Sequence, residues 1–438
     1  APKNGFRTFL ILWSTQSLSV MGSMLTFFAI TIYLTQVLYP APEQRQALAA
    51  ALSAVSLAHA VPLLLITPIA GAWADRNDRK RTMVLADLGS ALLSLALIGL
   101  ILSGKLSLIP LVILIALASL CSAFHGAAFD TAYSMLVPRE QLPRANGMMQ
   151  TTWALSGIVA PGLSALIISL GGQRLGAPLA IGIDGASFVM AALVASLLAI
   201  PSPKRAELQA DSRVKRPSIW VDVRFGARYI WQRRPLLWLL GTFALANMLL
   251  SPGQILVPLL LKDNLAVDLV ARGITEEKGL ALLFTAGSLG AVLSGIVIST
   301  VWGGLKQKRV FGVIVPMIVA GLANLFYGST SLLYVGVALA FLAGTHVPVA
   351  NAHSQAIWQT QVPFDLQGRV FSIRRVIAQF TAPLMTGVLG WAAGVFNAGT
   401  LMAVMGGVMA LFALLQCFNP IMLRVEDQEY LESLAANS

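Results

Sequence analysis

Apolar residues fall in long unbroken runs separated by short charged or Gly/Pro-rich breaks. The runs lie near residues 9–38, 46–73, 83–103, 108–136, 146–170 and 177–200, then near 236–261, 279–302, 310–328, 332–361, 370–395 and 399–420. Each is long enough to cross a hydrocarbon layer as a helix, which takes about 20 apolar residues. None alternates with a period of two, and in lipid only helices or closed barrels satisfy every backbone N–H and C=O. The pattern therefore predicts an all-α polytopic membrane protein with twelve transmembrane helices. A polar stretch at 201–235 separates the sixth run from the seventh. In its later part Val221, Phe225, Tyr229 and Ile230 recur at helical spacing against Arg224, Arg228, Arg233 and Arg234, which predicts an amphipathic helix at the membrane interface.

Composition agrees: 57% of the 438 residues are hydrophobic and 11% charged, against about 25% charged in soluble domains. A net charge of +11 would suggest a nucleic-acid partner in a soluble chain. Its distribution gives a different reason. With the amino terminus inside, twenty-four of the thirty Lys and Arg residues fall in loops on that same side. This is the positive-inside bias of a multi-pass protein, with both termini cytoplasmic, and it needs no nucleic acid. Lys3 and Arg7 read as a retained cytoplasmic flank of the first run. Cys121 and Cys417 lie in separate apolar runs and imply neither a disulfide framework nor a metal site.

The chain repeats itself. Val137-Pro138-Arg139-Glu140-Gln141-Leu142-Pro143-Arg144 follows the fourth run, and Val362-Pro363-Phe364-Asp365-Leu366-Gln367-Gly368-Arg369 follows the tenth, with Val, Pro, an acid and Arg at identical spacing. Ala160-Pro161 and Ala382-Pro383 recur at similar depth in the fifth and eleventh runs. Two pseudo-symmetric six-helix bundles, residues 1–200 and 236–438, are the simplest cause, and parallel repeats of this size are the plan of the major facilitator transporters. The resemblance sharpens at Gly71-Ala72-Trp73-Ala74-Asp75-Arg76-Asn77-Asp78-Arg79-Lys80, which looks like that superfamily's loop Gly-x-x-x-Asp-Arg-x-Gly-Arg-Lys. Asp78 stands where the pattern has Gly, placing a tight turn on a residue less suited to left-handed geometry. Gly71 is expected to permit close helix approach. Asp75, with Arg76, Arg79 and Lys80, is expected to form a charge latch at the cytoplasmic side, supported by Asp87 and by the repeat pairs Glu140 with Arg144 and Asp365 with Arg369. The symmetric segment Gly303-Gly304-Leu305-Lys306-Gln307-Lys308-Arg309 keeps the cations and lacks the acid. Phe6-Arg7 with Leu12-Trp13-Ser14-Thr15-Gln16-Ser17-Leu18-Ser19 is similar to the macrolide-efflux and siderophore-exporter branch of the drug/proton antiporters.

That resemblance implies an exporter of a bulky amphipathic small molecule, working by alternating access in exchange for protons as a monomer in a bacterial-type inner membrane. It implies no cofactor. It also implies that the first, fourth, seventh and tenth helices line a central cavity, which assigns Gln16, Ser19, Asn247, Gln254, His346, Asn351, His353 and Trp358 to the substrate. Ionisable groups at membrane depth are costly and mark candidate functional sites. Asp130, a carboxylate on the fourth helix, is the expected proton carrier, with His125 one and a half turns away as a partner that can share the proton. Asp184, near the outer end of the sixth helix, reads as a structural hydrogen-bond partner. His346 and His353, about 10 Å apart along one helix, are too distant to hold one metal ion. Gly99 to Lys105 imitates a phosphate loop but is followed by Leu106 instead of Ser or Thr, and no zinc-helix or nucleophile-elbow motif occurs. A lipid flippase of the same fold, a receptor that binds without flux and an intramembrane enzyme are the alternative readings.

Overall fold

The computed structural model describes residues 4–138, 141–200, 219–302, 305 and 307–436. Twelve helices among them are long and apolar enough to span a membrane: Gly5–Leu38, Pro42–Ala74, Arg79–Leu102, Leu108–Tyr133, Arg144–Gly172 and Arg174–Leu197 in the first half, then Arg234–Ala271, Glu276–Thr300, Phe311–Ser329, Leu333–Gln361, Val376–Val395 and Ala398–Gln416 in the second. They are called the first to twelfth spans below. The chain divides into two units, Ala1–Lys215 and Arg216–Ser438. A fourteen-residue helix, Ile219–Gln232, precedes the seventh span and belongs to the second unit.

In each unit one buried apolar cluster lies near the Val-Pro end of the spans. In the first, Phe9, Leu12, Met83, Phe129, Leu136 and Val137 cluster where the spans meet the first Val-Pro segment. In the second, Leu236, Leu239, Ile314, Ile357, Trp358 and Val362 do the same beside the other copy. The outward faces stay greasy: Leu85, Leu92, Leu170 and Leu197 are all largely exposed. In water such faces would drive aggregation. In lipid tails they are already solvated, so helix contact relies on close packing.

That packing is visible where backbones meet. A Cβ on Gly22 would stand 2.8 Å from Asp184 Oδ1, so glycine lets the first span lie against the sixth. The fifth and sixth spans are joined at Gly172, whose φ of 63° lies in the left-handed region that favours glycine. Prolines break two long spans. The seventh is interrupted at Ser251-Pro252, between Arg234–Leu250 and Gly253–Leu260. The tenth is interrupted at Thr345, between Leu333–Gly344 and His346–Gln361, where Pro348 has no N–H to offer the carbonyl of Gly344 four residues before it.

Candidate coupling and substrate site

In the first unit three spans bring titratable and amide side chains together. Asp87 of the third span is 2% exposed. Its Oδ1 lies 3.5 Å from His125 Nε2 of the fourth span. Gln16 of the first span reaches the same carboxylate and is itself buried. Asp87 Oδ2 and Gln16 Nε2 make no hydrogen bond among the described residues, and a buried polar atom left so is costly. Phe129, one turn on, stacks parallel to the His125 ring at 6.1 Å. Asp87 thus faces the interior of its own helix bundle, not the signature loop that it was expected to support. Asp130, by contrast, is exposed on the fourth span, with Tyr133 in its electrostatic reach. Five residues separate it from His125, a rotation of about 140° on a helix, and the two do not share a face.

The other polar groups of the first span tie it to its neighbours. Ser17 and Thr152 hydroxyls lie 2.8 Å apart, joining it to the fifth span, and Ser187 of the sixth donates to Ser19 at 3.4 Å. Ser23 and Thr26 donate to the buried Asp184 carboxylate at 3.3 and 2.8 Å. Ser19 is therefore enclosed between helices.

The signature loop is held within its own unit. Asp78 caps the third span: its carboxylate accepts the Arg81 N–H at 3.0 Å, and its backbone is extended at φ −66°. No left-handed turn is needed, and the departure from glycine supplies a helix cap in its place. Arg79 is buried and its Nε donates to the Ala74 carbonyl at the end of the second span. Lys80 Nζ donates to the Leu198 carbonyl, 3.0 Å away at the end of the sixth. Cations here meet the exposed carbonyls and negative dipole ends of helix C-termini. Arg76 is exposed. Gly71 does not mediate a close approach: among the described residues no atom beyond its own helix turns lies within 4 Å of where its Cβ would be. Arg144 places its guanidinium 5.3 Å from the centre of the Phe6 ring. Glu140 and the side chains of Asp75, Asp365 and Arg369 lie outside what the structure describes.

The second unit sorts the expected cavity residues by helical face. Asn351 and Gln254 are exposed. His353 and Trp358, assigned to the cavity with them because the resemblance places the tenth helix on it, are buried inside the unit. The Leu305 N–H donates to His353 Nε2 at 2.8 Å. A backbone amide can only donate, so the proton of the neutral ring sits on Nδ1 and is given to the Val349 carbonyl, also 2.8 Å away. His353 thus fastens the degenerate copy of the signature loop to the tenth span. Arg374 donates to Gln355 at 2.7 Å and Ser354 at 3.1 Å, and lies over the Trp358 ring at 5.2 Å. His346 Nδ1 contacts the Ala343 carbonyl across the break in the tenth span. Asn247 donates to the Ala378 carbonyl at 2.9 Å, pinning the seventh span to the eleventh. Arg374 was missed by sequence reasoning; its place two residues before an apolar stretch of the eleventh span and sixteen after Trp358 gave no signal of that contact. No group of three or more metal-binding side chains occurs among the described residues.

Comparison with known proteins agrees with this architecture. A macrolide efflux protein A of Streptococcus pyogenes is 28% identical over 381 residues, which are 86% of this chain and 87% of that protein. The multidrug efflux pump Tap of Mycolicibacterium fortuitum is 27% identical over 376 residues, covering 82% and 86%. Among solved structures, the POT family transporter PepTSo superposes with a TM-score of 0.71 at 13% identity over 96% of this chain and 99% of its own. A bacterial homologue of the iron transporter ferroportin does so at 0.63 and 19%, over 96% and 99%. At those identities the likeness concerns the fold. The model of the Major Facilitator Superfamily matches residues 12–382, from the first span through both repeats into the eleventh. The chain accordingly belongs to the Major Facilitator Superfamily, and it is a multi-pass membrane transporter and not an enzyme.

Proposed function

We propose that this transporter exports a bulky amphipathic small molecule of the macrolide or drug type in exchange for protons, by alternating access, as a monomer in a bacterial inner membrane with both termini cytoplasmic. The substrate class is carried over from the efflux relatives. Coupling is supported by one observation: the buried Asp87 carboxylate lies 3.5 Å from the half-buried His125 imidazole, with buried Gln16 beside the acid. A lone carboxylate there would be costly, while an acid and a base in contact can pass a proton between them without moving net charge out of the bundle. Asp130, exposed on the same fourth span, is the group through which that proton is exchanged with water or competes with substrate.

The test uses inverted membrane vesicles with an acidic interior and a labelled macrolide. Asp87→Asn, His125→Gln and Asp130→Asn should each abolish gradient-driven accumulation while leaving substrate binding that no longer varies with pH. Wild-type accumulation in all three variants would overturn proton coupling at these residues. Loss in Asp87→Asn with full activity in Asp130→Asn would confine coupling to the buried pair and refute the role given to Asp130.

A further inference from the structure

The helix Ile219–Gln232 divides its predicted apolar face, with Phe225 38% exposed and the later residues Tyr229 and Ile230 turned into the protein. Tyr229 and Ile230 do not face lipid; they are buried in the core of the second unit with Leu236 and Val362. Tyr229 donates its hydroxyl to the Gln361 carbonyl at 3.3 Å, and Arg233 covers the Tyr229 ring at 3.7 Å. Docking this face to the protein turns the other face outward. Arg224, Arg228 and Trp231 stand on it at positions i, i+4 and i+7, within about 60° of the helix circumference. Both arginines are exposed, and Trp231 is 73% exposed.

The helix ends at Gln232 and the seventh span begins at Arg234. Two residues of chain reach about 7 Å at most, so the last turn is covalently held at the membrane boundary. An indole left in water forfeits burial, whereas at headgroup depth its ring is shielded and its N–H stays wet. The two guanidiniums, one turn apart, present a fork of donors that matches phosphate oxygens. We propose that this face is a docking surface for anionic phospholipid headgroups of the adjoining leaflet, with Arg224 and Arg228 on the phosphates and Trp231 among the upper acyl chains. It does not depend on which solute is carried.

The experiment places a bimane label at Ala227→Cys, beside the stripe, in the full chain with Cys121→Ser and Cys417→Ser. The protein is reconstituted in nanodiscs of phosphatidylcholine alone or with a third phosphatidylglycerol. With the anionic lipid, quenching by headgroup spin-labelled lipid should rise and quenching by aqueous iodide should fall. Arg224→Gln with Arg228→Gln should weaken that preference by roughly thirtyfold, at about fivefold for each cation near a charged surface. The Lys pair at the same positions should restore most of it, which separates charge from misfolding. Molar salt should weaken it as well. Equal quenching in the two lipids, or iodide access unchanged between the wild-type stripe and the Gln pair, would show that the face looks into water or onto another protein and would overturn the proposal.

Discussion

A buried imidazole with two backbone partners has a fixed role, and His353 is such a residue. Nε2 accepts from Leu305 and Nδ1 donates to Val349. These two bonds fasten the loop to the tenth span. Gly312 packs directly on the ring, which leaves no room for a methyl group. Gly312→Ala should therefore lower stability by about 1 to 3 kcal/mol, in the range of other overpacked cores, read as a fall in apparent Tm in detergent; an unchanged Tm would mean that the ring can move aside. Asp78 makes a second local case. Asp78→Ala should cost about 1 kcal/mol through loss of the cap, and Asp78→Asn should cost far less. If the two variants melt together, the capping hydrogen bond contributes nothing.

Pairs of spans approach through glycine rather than through interlocking large side chains. The ninth and twelfth meet at Gly321 and Gly328 on one side and Gly399 and Gly406 on the other, each with the partner's backbone inside the volume a Cβ would need. Such contact suits a bilayer, where burying apolar surface against another helix gains little over lipid and close backbone packing supplies the attraction. Gly407, one step round the helix from Gly406, meets nothing nearer than a Leu325 methyl at 3.7 Å. Gly406→Leu should separate the two spans and lower both expression and Tm, while Gly407→Leu should be tolerated. Equal damage from both would place the sensitivity in helix propensity and not in the interface. The first and sixth spans combine the same device with polarity, Gly22 for approach and Asp184 for hydrogen bonds from Ser23 and Thr26.

The transporter as a whole carries two copies of one plan, and the copies have diverged in how they hold the loop between the second and third helices of each half. In the first, Arg79 and Lys80 are committed to helix ends of their own unit, so of the cations in the proposed latch Arg76 is the exposed one. Asp75→Asn is expected to cut transport without reducing expression and to shift the accessibility of cysteines placed on the cytoplasmic side. Unchanged flux together with unchanged accessibility would remove the gating role. In the second copy His353 does the fastening. The repeated Val-Pro segments extend the comparison: crossing Glu140→Ala with Arg144→Ala, and Asp365→Ala with Arg369→Ala, should reveal coupling above about 0.5 kcal/mol if each acid meets its own arginine. Additive losses would point to other partners, for which the Phe6 ring beneath Arg144 is the first candidate.

Much of this protein was determined by sequence alone, and the reason is that bilayer insertion depends on local, additive quantities. Twenty consecutive apolar residues cross a membrane wherever they occur, cations stay on one side of it, and a repeated Val-Pro-acid-Arg spacing discloses duplication without any knowledge of contacts. The site was legible only in part. His125 was picked out by its depth and Asp87 as support for the cytoplasmic latch, yet their pairing was not foreseen, because 38 residues separate them and nothing local sets one beside the other. Rotation about each helix axis was hidden for the same physical reason throughout. A soluble helix announces its buried face by an apolar stripe, but in lipid the protein-facing and lipid-facing sides are both apolar and the 3.6-residue signal fades. Only the tertiary structure could decide that Asn351 turns out while His353 and Trp358 turn in, that Gly71 meets no other helix among the described residues while Gly406 approaches a backbone, and that the linker helix buries Tyr229 and Ile230 and exposes Arg224 and Arg228.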